Sequence, residues 1–344
     1  MRVFDDFERT DMKPSLNKGN TYSFLNRSGW EECKNVRDRI EDWFSQIPNE
    51  HKSELLCRMK DRRDKFEEVY FEMFIYQLLI SLNYIVTIHP DNNFNGNHPD
   101  FLAELPSGEK LYVETTVIHD KDPEDNFVDF LQDELNKCNI YNFGLAINDY
   151  ELYDRQKVSF AKLRKEIEKW AFSINSEDIN VEDNDNWPIR EFENEGMLLE
   201  IELIPLEKEK KLERPCVIGP GKTRWGGSEE ALRTKLKSKA AKYGEFTEPY
   251  IIAVNNLSPF EHDSDVINVL YNGFWQAEKN TRVSAILHCI AFPWHLENTK
   301  VALFHNYYAK NQYKGPLDSL GYFELRNNKP VYIPGMRAID ILKL

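Results

Sequence analysis

The chain lacks the sequence features of several large classes of protein. No apolar run approaches the length of a membrane-spanning helix, and the N-terminal segment MRVFDDFERTDMK has no apolar core like that of a signal peptide. The five cysteines are scattered, odd in number and never spaced as CxxC, which disfavours a disulfide framework and a cysteine-rich zinc site. We therefore expect a cytoplasmic protein with reduced thiols and no contact with a membrane.

Common catalytic and cofactor motifs are missing as well. The sequence contains no GxSxG nucleophile elbow, no GxGxxG after a strand, no HExxH and no repeat of fixed period. Its most glycine-rich segment, GPGKTRWGG at residues 219–227, resembles a phosphate-binding loop only superficially, because the GxxxxGK[ST] frame requires a glycine where Cys216 stands. Serine hydrolases, dinucleotide-dependent enzymes and zinc peptidases of these types are therefore disfavoured.

Positive charge is scarce and unevenly placed. The 44 lysines and arginines are outnumbered by 58 aspartates and glutamates, which gives a formal net charge of −14. Such a chain is not expected to coat nucleic acid or anionic membranes non-specifically, so any nucleic-acid interface must be a confined basic patch. The most basic window, SEEALRTKLKSKAAKY at residues 228–243, predicts a helix on which Lys235, Lys239 and Lys242 share one face.

The stretch from 66 to 117 carries the most informative pattern. Its first part predicts a helix in which two glutamates extend an apolar stripe at the 3.6-residue period: Glu68, Glu72, Ile75, Leu79 and Leu82. Glu72 is therefore in line with core positions. A carboxylate in such a place needs an ionic partner or a bound cation.

Strands and a hairpin turn are predicted after this helix: strands at 84–88, 100–105 and 110–117, and the turn at 106–109. Alternation places Glu114 and Thr116 on the same face of the last strand. A two-residue turn would set Asp100 opposite Thr115, on the other face. An odd-length connection sets it opposite Glu114 or Thr116, and a bulge at Gly108 would have the same effect. The acidic groups then converge beside the helix, in the kind of oxygen site that Mg²⁺ prefers.

These residues carry a resemblance to a known family. The order helix, strand, Pro99-Asp100, hairpin and Glu114-Thr115-Thr116 resembles that of the PD-(D/E)XK phosphodiesterases, the restriction-endonuclease-like superfamily. The resemblance covers only the first part of the chain. It implies that Asp100 and Glu114 are catalytic and that they bind Mg²⁺ or Mn²⁺ together with the main-chain carbonyl of Thr115.

At two further positions the chain can be compared with the pattern of this family: Glu72 agrees with it and Thr116 departs from it. Glu72, with Glu68 as the alternative, looks like the acidic residue on the helix before the strands, which implies that it binds the metal directly or through water. Thr116 stands where the family usually has lysine, and its hydroxyl can hydrogen-bond a water but cannot supply a positive charge. The basic helix can supply that charge, and Lys239 or Lys242 is the predicted substitute. The structural alternative is an acidic hairpin edge beside a helix whose lysines are simply solvated.

The pattern of elements and the resemblance together predict an α/β fold. We expect a mixed central sheet flanked by helices, with a restriction-endonuclease-like αβββαβ core. A helical N-terminal extension is predicted at 1–62, and a C-terminal α/β cap at 256–344. Between them lies the nuclease-like core at 63–255, with an acidic insertion near 175–195.

The predicted function is a metal-dependent endonuclease that hydrolyses phosphodiester bonds of DNA, with RNA as an alternative substrate. A restriction or phage-defence setting, with a homodimer or a partner subunit, is consistent with the resemblance. Lys222 and Arg224 in the glycine-rich segment, together with Lys235, are the predicted contacts to the phosphate backbone. The alternative function is a catalytically inactive module that keeps the nuclease fold for binding nucleic acid or protein. Thr116 and the acidic net charge favour this alternative.

Overall fold

The computed structural model describes most of the chain, in ten ranges: residues 1–17, 19–61, 63–90, 97–119, 123–207, 210–218, 228–258, 263–275, 279–327 and 329–343. The glycine-rich segment, with the predicted phosphate contacts Lys222 and Arg224, lies outside these ranges. Within them, no helix combines the length and the apolar composition of a membrane span.

The predicted α/β fold class is confirmed by the elements that the described residues form. The helices are α1 (Thr21–Arg27), α2 (Glu31–Gln46), α3 (Asn49–Asp61), α4 (Arg63–Ser81), α5 (Pro123–Leu135), α6 (Phe160–Ser173), α7 (Ser228–Ala241), α8 (Asp263–Val269) and α9 (Ala338–Leu342). The strands are β1 (Ile85–Ile88), β2 (Phe101–Glu104), β3 (Lys110–Ile118), β4 (Phe143–Leu152), β5 (Ile189–Asn194), β6 (Met197–Pro205), β7 (Cys216–Ile218), β8 (Tyr250–Asn256), β9 (Ala285–Ile290), β10 (Lys300–His305), β11 (Tyr322–Arg326) and β12 (Lys329–Ile333).

The chain divides into two compact units. The large unit comprises Met1–Pro14, Gly19–Asp120 and Gly226–Leu344, and the small unit comprises Ser15–Lys18 and Lys121–Trp225. Apart from the short segment Ser15–Lys18, the small unit therefore lies between β3 and α7 in the sequence. Strands β9 to β12, which the sequence assigned to a separate cap, continue the sheet of the large unit. Breaks between the units thus fall near 120 and 226, rather than at the predicted boundaries of 62 and 255.

The large unit is built on a mixed eight-stranded sheet in the order β1-β2-β3-β8-β9-β10-β11-β12. Strands β1 to β3 are antiparallel, β3, β8 and β9 run parallel, and the strands that follow mix both directions. Within this unit, α4, β1, β2, β3, α7 and β8 follow one another in the predicted αβββαβ order. The predicted mixed central sheet is confirmed.

Strand β3 separates two apolar clusters because its side chains alternate between the faces of the sheet. Leu111, Val113 and Val117 belong to the cluster that contains the buried side chains of α4. Tyr112 and Ile118 belong to the cluster that contains those of α7. The even-numbered polar residues of β3 therefore lie on the α7 side of the sheet.

Helix α4 is apolar on nearly all sides, which is typical of a helix buried in a core. Phe66, Val69, Phe71 and Phe74 are completely inaccessible to solvent. The helix confirms the one predicted from residue 66. Because it is enclosed by other elements, a glutamate on it is largely withdrawn from solvent and needs a partner, as the sequence predicted for Glu72.

The small unit contains a four-stranded sheet in the order β5-β6-β4-β7, with α5 and α6 in the same compact unit. Strand β6 alternates between buried and half-buried residues along its whole length. The predicted acidic insertion near 175–195 falls here. It forms two short 3₁₀ turns, Ser176–Asp178 and Asn184–Asn186, and then β5, which pairs with β6 over six residues.

Candidate active site

The β2–β3 hairpin determines where Asp100 lies. The strands pair antiparallel, with Glu104 opposite Lys110, so the connection has an odd length. Gly108 in this connection has a φ of 98°, in the left-handed region that favours glycine. Continued outward from the paired residues, the register sets Asp100 opposite Glu114. The odd-length connection predicted from the sequence is thus confirmed.

Asp100 is fixed by the neighbouring strand. Its Oδ2 accepts hydrogen bonds from the backbone N–H of Thr115, at 2.7 Å, and from the Thr115 hydroxyl, at 2.6 Å. Burial raises the pKa of Asp100, and the negative charge of Glu114 raises it further, while the bonds from Thr115 oppose the shift. Asp100 and Glu114 therefore lie close enough for their negative charges to repel each other.

Glu114 is completely buried and is held by cations from the end of α7. Its Oε1 accepts hydrogen bonds from Lys239 Nζ at 2.5 Å and from Lys242 Nζ at 2.9 Å. Its Oε2 accepts one from the Tyr243 hydroxyl at 2.5 Å, and this hydroxyl also lies 2.7 Å from the main-chain oxygen of His98. The buried charge is thus paired and hydrogen-bonded, as burial of a carboxylate requires.

Helical spacing explains why these three side chains reach the same carboxylate. Lys242 and Tyr243 follow Lys239 by three and four positions, the spacing that brings side chains to the same side of a helical turn. The helix ends at Ala241, so Lys242 and Tyr243 lie just beyond it. Burial and the nearby charge of Glu114 raise the pKa of Tyr243 well above its ordinary value, so its hydroxyl remains a donor.

Glu72 is paired with an arginine from α3. Arg58 Nη1 donates to Glu72 Oε2 at 2.9 Å and Arg58 Nη2 to Glu72 Oε1 at 2.5 Å, which is a bidentate contact. Arg58 also lies 3.9 Å from Glu68, to which Lys65 donates at 2.6 Å. Burial raises the pKa of Glu72 to about 7, against the opposing effect of Arg58.

These groups line one cavity of about 260 Å³ in the large unit. Its charged lining consists of four carboxylates and five cations: Glu68, Glu72, Asp100, Glu114, Arg58, Lys65, Lys235, Lys239 and Lys242. Thr115 and Thr116 complete the polar part of the wall. Although the whole chain is strongly acidic, the cavity is nearly neutral, because most of its carboxylates are balanced by a cation.

The structure thus brings together nearly all the residues that the sequence singled out. Lys235 lines the cavity with them, whereas Lys222 and Arg224 lie outside the described residues. Sequence reasoning missed Arg58 and Tyr243. Tyr243 follows Lys239 by four positions, and this spacing on a predicted helix could have indicated it. Arg58 gave no comparable signal, because its contact with α4 depends on how two helices pack.

The oxygen donors of the cavity fit a hard divalent cation in type. Asp100 and Glu114 are carboxylates of the kind that Mg²⁺ prefers. Burial first, and then the negative charge of Glu114, raise the pKa of Asp100, and a bound cation would oppose both effects. Glu114, however, is bound to two ammonium groups, one of which a metal ion would have to replace. In the described ranges, no group of three or more histidine, cysteine, aspartate or glutamate side chains is placed to hold a metal ion.

Comparison of the chain with family models, with curated proteins and with solved structures gives no match. The resemblance to PD-(D/E)XK phosphodiesterases therefore rests on the residues of the helix and the hairpin alone. What the cavity can do chemically follows from its own geometry: a paired set of carboxylates, two lysines that share one of them, and a wall of further cations.

Proposed function

We propose that the chain is a metal-dependent nuclease that hydrolyses phosphodiester bonds of DNA in this cavity. The observation that carries the proposal is the convergence of Asp100 and Glu114 with Lys239 and Lys242, from three separate parts of the sequence. Carboxylates that can bind a metal, with an ammonium group close to them, form one arrangement that promotes phosphodiester hydrolysis. A setting in restriction or phage defence, and a homodimer or partner subunit, follow from the resemblance alone.

Mg²⁺ or Mn²⁺ would be held by Asp100, Glu114 and the main-chain carbonyl of Thr115, with Glu72 as a further acidic group. The chemistry that such an ion supplies is a lower pKa for a bound water and polarisation of the scissile phosphate. Asp100 is oriented for this task by its two hydrogen bonds from Thr115. Glu114 is oriented by the Tyr243 hydroxyl, which binds the oxygen that the lysines leave free.

Lys239 and Lys242 supply the positive charge that Thr116 cannot supply. Because both contact the same oxygen of Glu114, one ammonium can turn toward a phosphate while the other keeps the buried carboxylate paired. A lysine in this place would stabilise the negative charge that develops as the phosphodiester bond breaks. Thr116 lines the same cavity and would position a water molecule through its hydroxyl.

The cations of the cavity also provide a confined surface for the phosphate backbone. Lys235 lies on α7 one turn before Lys239, and Lys65 lies on the α4 side of the cavity. Lys222 and Arg224 stay predicted phosphate contacts, outside the described residues. Since binding through phosphate contacts releases counterions, we expect the affinity for DNA to fall steeply as the salt concentration rises.

A cleavage assay with matched variants tests the proposal. Supercoiled plasmid and labelled RNA are incubated with wild type, Asp100→Asn, Glu114→Gln and Glu109→Gln, in Mg²⁺, in Mn²⁺ and in EDTA. Glu109→Gln is the control, because it removes the same charge from the same hairpin outside the cavity. We expect metal-dependent nicking by wild type and the control, and a loss of about 100-fold or more in the two cavity variants.

Binding of the metal is measured separately from activity. Mg²⁺ at about 100 times its Kd should raise the free energy of unfolding of wild type and of Glu109→Gln by about 2.7 kcal/mol. The same addition should have little effect on Asp100→Asn or Glu114→Gln. Equal cleavage and equal Mg²⁺ response in all four proteins would contradict the proposal.

A catalytically inactive binding module is the second candidate, and one observation favours it. Both oxygens of Glu114 are already bound by Lys239, Lys242 and Tyr243, an arrangement that also suits a purely structural ion pair. This candidate predicts salt-dependent binding of DNA that Lys235→Gln weakens, without cleavage in any metal. The plasmid assay therefore separates the two candidates directly.

A further inference from the structure

A second polar pocket, in the N-terminal part of the large unit, combines an excess of positive charge with a buried arginine. We call it the N-terminal pocket and define it by Arg2, Arg9, Lys34, Arg37, Asp38 and Glu41, with Phe4 and Gly29 completing its wall. Its volume is about 290 Å³, close to the lower end of small-molecule sites. None of these residues belongs to the candidate active site.

Arg37 is the central group of the pocket. Its residue is only 7% exposed, and Nη1 donates to the main-chain oxygens of Leu25, at 2.7 Å, and Ser28, at 2.9 Å. Among the described residues, no acceptor lies within hydrogen-bonding distance of its Nε or Nη2. An arginine that is nine-tenths buried, lines a pocket and has unused donors is arranged to receive an acceptor from outside the chain.

Arg9 brings a second guanidinium group to the pocket. Its three nitrogens donate to the main-chain oxygens of Asn26, Phe7 and Asp5. In the described part of the chain, no carboxylate lies within ion-pair distance of Arg9 or Arg37. Burial and the charge of Arg9 both lower the pKa of Arg37, yet a guanidinium stays protonated under all ordinary conditions. Two guanidinium groups without an ion-pair partner among the described residues therefore line the same pocket.

The two carboxylates of the pocket do not cancel this excess. Glu41 accepts hydrogen bonds from the backbone N–H groups of Val3 and Phe4 and lies 3.8 Å from Arg2, and Asp38 is 3.1 Å from Lys34. Arg2 and Lys34 are also paired with Asp6 and Glu31, so the positive charge without an ion-pair partner in the described residues is that of Arg9 and Arg37, in a chain whose net charge is −14. A dianionic group matches this excess in charge.

We propose that the N-terminal pocket binds the phosphate group of a small phosphorylated molecule. Planar guanidinium groups match the oxygens of phosphate in geometry as well as in charge. The volume leaves room for a mononucleotide-sized ligand. Gly29 lets the main chain of this wall lie close to that of Arg9, because a Cβ at this position would lie 2.7 Å from the main-chain oxygen of Arg9. This proposal does not depend on the nuclease proposal, since the two pockets share no residue.

Titration calorimetry with the full-length protein tests this proposal. Inorganic phosphate and adenosine 5′-monophosphate are titrated at constant ionic strength into wild type, Lys34→Gln, Arg37→Gln and Lys165→Gln. Lys165 is an exposed helical lysine outside the pocket and serves as the matched control. We expect Arg37→Gln to weaken binding by about tenfold or more and Lys34→Gln by about threefold, while Lys165→Gln leaves it unchanged.

A second variant keeps the test decisive if Arg37→Gln fails to fold. In that case the double variant Arg2→Gln/Lys34→Gln, which changes only partly exposed groups, takes its place, and an affinity equal to that of wild type overturns the proposal. Absence of phosphate and mononucleotide binding to wild type overturns it as well. Binding of single-stranded DNA that Arg37→Gln weakens, without binding of either small probe, would assign the pocket to nucleic acid and overturn the small-molecule proposal. Plasmid nicking by Lys34→Gln should stay at the wild-type rate.

Discussion

The two glutamates at opposite walls of the candidate active site are neutralised in different ways. Glu72 is held by one arginine through two parallel hydrogen bonds, and its side chain is 12% exposed. Glu114 is fully buried and is held by two lysines that share one oxygen, with Tyr243 on the other. Glu114 is therefore the more deeply buried of the two carboxylates, and its lysine partners are the more flexible side chains.

The difference bears on which glutamate can exchange its partner. A bidentate guanidinium is rigid and is lost only as a unit, whereas each ammonium makes a single contact at the end of a flexible side chain. One lysine can leave Glu114 without leaving the carboxylate unpaired. We infer that Glu72 keeps its pairing with Arg58, which also stabilises the packing of α3 on α4, and that partners are exchanged at the Glu114 wall of the cavity.

The largest effect is expected when both lysines are removed from the Glu114 wall. In Lys239→Met/Lys242→Met, Glu114 keeps only Tyr243, and a buried carboxylate without its cations costs about 3 kcal/mol in the free energy of unfolding. We use the lower end of the usual range because the two lysines are partly exposed. Urea unfolding measures the change, and plasmid nicking should be lost at the same time.

Lys237→Met is the control for this double variant, because Lys237 is an exposed residue of α7 that does not line the cavity. If the double variant unfolds at the same urea concentration as Lys237→Met, then Glu114 does not depend on the lysines. The inference that Glu114 exchanges its partners more readily than Glu72 would then be wrong. If either single lysine variant keeps nearly full stability, the idea that the two lysines can substitute for each other is strengthened.

The Glu72 wall is tested by the pH dependence of stability. Because burial raises the pKa of Glu72 from 4.5 to about 7, the folded state holds this proton more tightly than the unfolded state. The resulting stability is complete below pH 4.5 and is lost as the pH rises toward 7. Asp100, whose pKa is also raised, contributes in the same direction. We therefore expect Glu72→Gln to lose less stability than wild type between pH 4.5 and pH 7, as measured by urea unfolding.

Glu109→Gln again provides the comparison. A hydrogen bond from Ser107 lowers the pKa of Glu109, so this carboxyl group takes up its proton below pH 4.5. Glu109→Gln should therefore lose stability between pH 4.5 and pH 7 as steeply as wild type. A slope in Glu72→Gln as steep as that of wild type would mean that Arg58 keeps Glu72 ionised over the whole range. In that case the negative charge of Glu72 would be as well compensated as that of Glu114.

Much of the candidate site was open to prediction because it depends on local periodicity. The two-residue repeat of a strand and the odd connection at Gly108 set Asp100 opposite Glu114, and the helical repeat placed Glu72 among core residues. The position of Lys239 and Lys242 on one helix face was likewise visible in the sequence. Each of these inferences concerns residues whose relation is fixed by one element or one hairpin.

The features that sequence reasoning missed depend on contacts between distant elements. Arg58 reaches Glu72 only because α3 packs against α4, and no periodicity encodes that contact. Strand β5 has a single buried side chain, Phe192, so it lacks an alternating pattern. Strand β12 contains Pro330, which is tolerated because this strand lies at the edge of the sheet. The division into two units depends in the same way on tertiary contacts.

The smallest effect is expected at Thr116, on the same wall as Glu114. Thr116→Val keeps the shape of the side chain and removes a hydroxyl that we propose only positions water, so nicking should slow by about fivefold, the value of one neutral hydrogen bond. Single-turnover cleavage rates measure this, with Thr87→Val in β1 as the control for the same change outside the cavity. A loss as large as that of the double lysine variant would show that the hydroxyl takes part in the chemistry. The charge from α7 would then not be sufficient to replace the missing lysine.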